Sequence, residues 1–196
     1  MKNNSQTYTI PRRTLLNLIA GTIPPTEGNV HILTNESIQP SKAIIVDSKP
    51  DCFDNKSTVY NRIKDVAQGK GSMFDDLVKF YARILTLSEE QLYNTPSQLS
   101  PSGQYLFGIA CACIESSNIM ECNEEEDKVL VSAPILLLDE LVDSETSKVA
   151  SVVGNALQNL AKEGGIILMA THRPEYVTTY SNRVISMSSG RILTII

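Results

Sequence analysis

Apolar and polar positions fall along this chain in blocks whose lengths and spacing separate strands from helices. Leu15, Leu16, Leu18 and Ile19 give an apolar side to a helix that Pro11 is suited to open, since a first-turn N–H has no partner to lose, and that Gly21 ends. Thr7 to Ile10 ahead of it is β-prone, and Ala43 to Val46 reads as a short buried strand. A mostly helical lobe is predicted from Ser57 to about Ser117, with Asp75 to Leu87 as its clearest helix. Ile135 to Leu138 is an uninterrupted apolar run bounded by turn signals, the pattern of a strand buried on both faces. After Ser144, a candidate N-cap, Val149, Val152, Val153, Ala156, Leu157 and Leu160 recur at helical spacing. Gly164-Gly165 ends that helix, and Ile166 to Met169 reads as the next buried strand. Helices alternating with all-apolar strands predict an α/β fold whose mostly parallel sheet is covered by helices on both faces. There are no internal repeats.

The Ile135 run ends in Asp139 and Glu140, and the Ile166 run in Ala170, Thr171 and His172. Open α/β sheets bind ligands outside the carboxyl ends of their strands. Two adjacent carboxylates there can divide the labour of nucleotide hydrolysis, Asp139 holding Mg²⁺ and Glu140 polarising a water. A strand that simply turns polar as it reaches solvent is the plainer reading of the pair alone, as a structural histidine is of His172 alone.

Taken in order, the strings from about Pro11 to Ile192 resemble the ATP-binding domain of ABC transporters, a P-loop NTPase family. LLNLIAG (15–21) with PPTEGNV (24–30) is similar to the helix after the family's phosphate-binding loop and the turn into the next strand. TVYNRI (58–63) resembles the start of its helical subdomain, and PSQLSPSGQ (96–104) the segment that carries the ABC signature. ILLLDE (135–140) matches the Walker B strand, DSET (143–146) the D-loop, ATHRPE (170–175) the switch-histidine strand, and NRVISMSSGRI (182–192) the strand and hairpin that close the core. The resemblance implies one domain over 1–196, a P-loop NTPase-like (ABC ATPase) mostly parallel sheet covered by helices, with 57–117 as an inserted helical subdomain carrying the signature. It implies that Asp139 orients Mg²⁺, that Glu140 is the general base and that His172 contacts the γ-phosphate. Ser100, or Ser102 in a register shifted by one, would be offered to ATP held by a second subunit. Arg12, Arg13 and Thr14 at the helix start and Asp143 of the D-loop complete the implied cofactor-binding set. The function implied is the ATP-binding subunit of a transporter. Its partners would be another ABC ATP-binding domain, in a homo- or heterodimer, and a membrane permease that docks near the helical lobe and holds a cytoplasmic protein at the membrane periphery.

Departures from the family pattern set further expectations. Where the family carries a glycine-rich loop ending in Gly-Lys-Ser/Thr, QTYTIPRRT (6–14) has neither glycine nor lysine. That loop needs consecutive N–H groups converging on phosphate, and Pro11 has none to give. Arginine at a helix N-terminus attracts anions but does not replace the lysine point charge. Losing two or three hydrogen bonds to a charged group, at roughly 1.5 to 3 kcal/mol each, would cost about three decades of affinity or more. Asp47-Ser48 stands in place of the expected glutamine, Pro101 and Gly103 alter the signature, and Leu141-Val142 replaces a proline-threonine pair. A degenerate domain serving as non-hydrolysing dimer partner or scaffold, or a truncated gene product, is therefore an alternative. The truncated version would expose sheet edges and apolar surface.

Composition adds exclusions. A net charge of −5 with no basic cluster beyond Arg12-Arg13 argues against nucleic acid as a partner. No apolar run has the length of a membrane span, and the polar start MKNNSQ predicts no signal peptide. Cys52, Cys111, Cys113 and Cys122 lack metal-ligand spacing and predict buried thiols in a reducing compartment. ECNEEED (121–127) reads as a solvated loop.

Overall fold

A computed structural model of the chain describes residues 12–32, 41–46, 56–67, 74–117, 132–143, 145–188 and 190–195. Its centre is β2 (Ile135–Asp139), which pairs in parallel with β1 (Ala43–Val46) on one side and β3 (Ile166–Ala170) on the other. The pleat sends alternate residues of β2 to opposite faces. Leu136 and Leu138 enter a large core with Leu106 and Ile109 of α5 (Pro101–Ser116) and Val153 and Leu157 of α6 (Ser147–Lys162). Ile135 and Leu137 join a smaller cluster with Ala43 and with Leu16 of α1 (Arg12–Ile19). The expected strand buried on both faces is present, and helices lie on both of its sides.

Gly21 ends α1 as expected, at φ 71, in the left-handed region that costs glycine little. The helical lobe consists of α2 (Val59–Val66), α3 (Phe74–Ile84), α4 (Glu89–Tyr93) and the start of α5. Thr58 caps α2, Ser88 and Gln91 form a capping box on α4, and Ser100 caps α5. Leu77, Tyr81 and Leu85 of the lobe share the large core with Leu136, so lobe and sheet are packed through one continuous apolar cluster.

Several expectations are corrected. Helix α3 stops at Ile84 instead of Leu87, because Thr86 turns left-handed at φ 58 and Leu87 N–H bonds back to the Ala82 carbonyl at 2.8 Å. Helix α6 begins at Ser147 with Thr146 as its cap, whose side chain accepts from Val149 N–H at 3.4 Å; Ser144 lies outside the described residues. Strand β3 is half-exposed where a buried strand was expected, because among the described residues it pairs only with β2. The last segment forms an antiparallel hairpin, β4 (Ile185–Ser188) and β5 (Arg191–Ile195), that lies open to solvent instead of closing the core, with Ile192 58% and Leu193 65% exposed.

Cys113 is a buried thiol as expected, and burial pushes it well up from its ordinary value, whereas Cys111 is only half-buried. Cys52 and Cys122, Thr7 to Pro11, Asp47-Ser48 and the acidic stretch 121–127 fall outside the described residues. Among the described residues no helix is long and apolar enough to cross a membrane.

Candidate functional site

Because β1, β2 and β3 run parallel, their carboxyl ends share one end of the sheet, and Asp139 is paired in register with Ala170. Asp139 is the last residue of β2 and is half-buried. Glu140 leaves the strand at φ 51, a strained value for a side-chain-bearing residue, while its N–H bonds the Ala170 carbonyl at 2.9 Å. That turn aims Glu140 across to the residues that follow β3. Its Oε1 lies 2.8 Å from His172 Nε2. Sequence reasoning expected the two carboxylates and the imidazole to share a site, and the Glu140–His172 contact joins the tips of adjacent strands.

Asp143 fixes the position of His172. Its Oδ1 accepts from Thr171 Oγ1 at 2.6 Å and its Oδ2 from the His172 N–H at 2.8 Å. After Glu140, the Asp143 N–H bonds the Glu140 carbonyl and the Glu145 N–H the Val142 carbonyl. Arg173 binds this segment from below through Nη1, which donates to the Val142 carbonyl at 3.2 Å and the Glu145 carbonyl at 3.0 Å, while its Nε donates to Glu175 at 2.8 Å. The Glu175 carboxyl, at its own backbone N–H and beside Arg173, is held below its usual range.

Glu145 then accepts from the Tyr105 hydroxyl of α5 at 2.8 Å. Partial burial first, and Glu145 second, push the Tyr105 phenol up to about 12. The sign follows from linkage: the folded state favours the neutral phenol, so its contribution is complete below the unfolded value of about 10 and is lost as pH rises toward 12. Tyr105→Phe is expected to lower stability by roughly 1 kcal/mol near pH 8, with the gap to wild type closing above about pH 10 in urea unfolding curves. A gap independent of pH would exclude Tyr105 as its source.

The remaining sequence candidates divide. Arg13, in the first turn of α1, places Nη1 3.3 Å from Asp139 Oδ2, and so belongs to the site. Arg12 opens α1 and Thr14 is half-buried in the same turn. Ser100 and Ser102 are not joined to this cluster. Ser100 Oγ accepts from Gly103 N–H at 3.2 Å and lies 3.2 Å from Ser102 Oγ, bonds confined to the start of α5. Glu145, Thr171 and Arg173 lie within the DSET and ATHRPE strings but were given no role there, and Tyr105 was not singled out, since the part each plays appears only when segments distant in the chain meet.

The two carboxylates at the strand tip are of the oxygen type that hard cations take, but Asp139 faces Arg13 and Glu140 faces His172. Asp139 and Glu140 offer carboxylate oxygens, and among the described residues no group of three or more His, Cys, Asp or Glu is placed to hold a metal ion. Mg²⁺ is commonly held this way, by one or two carboxylates with phosphate oxygens and waters completing its shell. Arg13 supplies positive charge beside that position for a phosphate. Of the segment expected to replace the phosphate loop, 6–14, residues 6–11 lie outside the described residues.

The fold has known counterparts. An inward-facing structure of a transporter described as metal-chelate type ABC superposes with a TM-score of 0.69 at 16% identity, covering 98% of this chain and 68% of that one. The dimeric post-hydrolysis structure of an ATP-binding cassette bound to ADP and Pi superposes at 0.60 with 19% identity, covering 94% of this chain and 79% of that one. The chain has the P-loop NTPase-like α/β fold of ABC ATPase cassettes. No family model matches it. Two curated proteins do: one named as an ABC transporter ATP-binding protein of Clostridium tetani, 23% identical over 189 residues, and the nitrate transport protein NasD of Klebsiella oxytoca, 24% identical over 192 residues. The matches cover 93% and 94% of this chain but span 39% and 66% of the two relatives.

Proposed function

We propose that the chain acts as the ATP-binding subunit of an ABC-type transporter, coupling ATP binding and hydrolysis to movement of a solute through a membrane permease. The observation that carries this reading is the 2.8 Å contact between Glu140 and His172 at the tips of adjacent parallel strands, next to Asp139. The names of the curated relatives and the cassette fold support it.

When bound, Mg²⁺–ATP supplies an electrophilic terminal phosphoryl group and the metal charge that stabilises its transfer. Asp139 would hold the metal, and the first turn of α1, with Arg12, Arg13 and Thr14, would stand at the phosphates. Glu140 takes the proton of a water, its carboxylate held in orientation through Oε1 by His172. Asp143 and Thr171 keep His172 at that oxygen. Ser100 and Ser102, whose bonds stay at the α5 start, are available to a second cassette in a dimer, an arrangement of the kind that one structural counterpart adopts.

Calorimetric titration with Mg²⁺–ATP tests the reading, comparing wild type with Glu140→Gln. Both proteins should bind nucleotide, and the variant, unable to accept the proton, should accumulate as an ATP-dependent dimer in size-exclusion chromatography. Absence of binding by the isolated chain, with hydrolysis arising only on mixing with an intact cassette, would replace this reading by that of a non-hydrolysing partner.

A further inference from the structure

We propose that Arg173 is a positioning residue for the Glu140–His172 pair: it clamps the chain on both sides of Asp143, so that this carboxylate stays where it holds the histidine. The proposal rests on the functional reading above in taking that pair as the hydrolytic machinery. Arg173 stands at the N-cap of α7 (Pro174–Tyr180), a place where Ser, Thr, Asp or Asn would accept from a free helix N–H, and its side chain makes no capping bond. The guanidinium turns instead onto the stretch between β2 and α6, leaving 20% of the side chain exposed. A residue that gives up its local preference and is nonetheless well bonded answers a requirement set elsewhere in the fold.

Nη1 donates to the Val142 carbonyl at 3.2 Å and to the Glu145 carbonyl at 3.0 Å, so one nitrogen spans Asp143. Nε donates to Glu175 Oε1 at 2.8 Å and thereby fixes the plane of the guanidinium. The main chain of the same residue works from the other side: Arg173 N–H donates to Thr171 Oγ1 at 3.1 Å, the hydroxyl that donates to Asp143 Oδ1. Asp143 is thus gripped at its backbone flanks by the Arg173 side chain and at its carboxylate by Thr171 and the His172 N–H. Val142 is anchored in the large core, and the bond to Glu145 draws the far flank of Asp143 onto that anchor. Without the guanidinium, Asp143 shifts and the imidazole loses its alignment on Glu140 Oε1. Misplacement of a reacting group by about 1 Å can cost roughly a hundredfold in rate.

Nuclear magnetic resonance of the His172 imidazole, in the protein without nucleotide, tests the placement; His31 and His172 are the two histidines of the chain, so the signals are readily assigned. Glu140→Ala sets the shift that marks loss of the carboxylate. Arg173→Gln should move the His172 ring signals in the same direction, and the double variant should show less than the sum, because both changes remove one contact. Arg173→Lys should recover part of the shift, and Glu175→Gln, which leaves both carbonyl bonds in place, should move the signals least. Wild-type ring signals in Arg173→Gln, with only a lower urea midpoint, would make Arg173 a structural clamp and overturn the proposal. Circular dichroism verifies folding, and should Arg173→Gln not fold, Arg173→Lys decides: an intermediate shift supports the proposal and a wild-type spectrum overturns it. With Mg²⁺–ATP, Arg173→Gln should lower kcat about tenfold or more and change KM little. Wild type that neither binds nor hydrolyses ATP sinks the transporter reading, while the ring signals still decide whether Arg173 places His172.

Discussion

Asp143→Ala is expected to release His172 from Glu140 and to lower the unfolding free energy by about 3 kcal/mol or more. Asp143 uses both oxygens, one for the Thr171 hydroxyl at 2.6 Å and one for the His172 N–H at 2.8 Å. Hydrogen bonds to a charged group contribute roughly 1.5 to 3 kcal/mol each. Alanine removes both acceptors and leaves a half-buried hydroxyl and an amide to find water. Asp143→Asn should fall between, because its single carbonyl oxygen can keep one of the two donors. Hydrogen–deuterium exchange at the His172 amide is the direct measurement, and urea unfolding gives the energy. Exchange as slow in Asp143→Ala as in wild type would mean that another group holds the histidine and that the latch has been misread.

The same latch explains how distant parts of the molecule meet at the site. Arg173 bridges two carbonyls of the stretch between β2 and α6 through Nη1 while its separate Nε donates to Glu175, a division that a lysine with one nitrogen could not reproduce. Glu145 of that segment is tied to Tyr105 of α5, the helix whose start carries Ser100 and Ser102. Hydrogen bonds therefore link α5 through Glu145 and Arg173 to Thr171 and Asp143, which accepts from the His172 N–H. Movement of α5 has a physical route to the Glu140–His172 pair.

How far the sequence discloses this depends on which force places each residue. Positions fixed by burial are legible, because burial imposes periodicity. The apolar run of β2, the spacing in α6 and the Gly21 stop of α1 each occur where the pattern puts them, give or take a cap. The placement of Asp139, Glu140 and His172 at the strand tips is legible because each polar group follows directly on an all-apolar run. The end of α3 is not, since a left-handed threonine leaves no pattern in advance. Exposure of β3 and of the β4–β5 hairpin is hidden for the opposite reason. Apolar composition signals a wish to be buried, and whether a neighbour is present to bury it depends on the whole assembly of strands. The contact of Arg13 with Asp139 spans 126 positions and follows from α1 packing Leu16 onto the sheet, which no local motif records.

Leu138→Ala should be the most damaging truncation in the sheet, costing about 2 to 5 kcal/mol out of a typical 5 to 15. Leu138 is fully buried, pairs with Val46 and Met169 on its two sides, and points into the large core. Removing its isobutyl group opens a cavity whose walls belong to a continuous cluster with little room to relax. Leu137→Ala, one residue away, should cost less, because its face packs on the smaller cluster, where half-buried Leu168, Ala170 and Ile19 can close in. Chemical unfolding of the two variants measures the difference between faces, and equal losses would refute the asymmetry. The effect should also reach the site. Leu138 is the residue immediately before Asp139, and the strained turn at Glu140 persists only while β2 is held firmly between its neighbours. A cavity beneath that strand end lets the turn relax, so Leu138→Ala should weaken the Glu140–His172 contact while Leu137→Ala leaves it intact, a distinction visible in the side-chain resonances of His172.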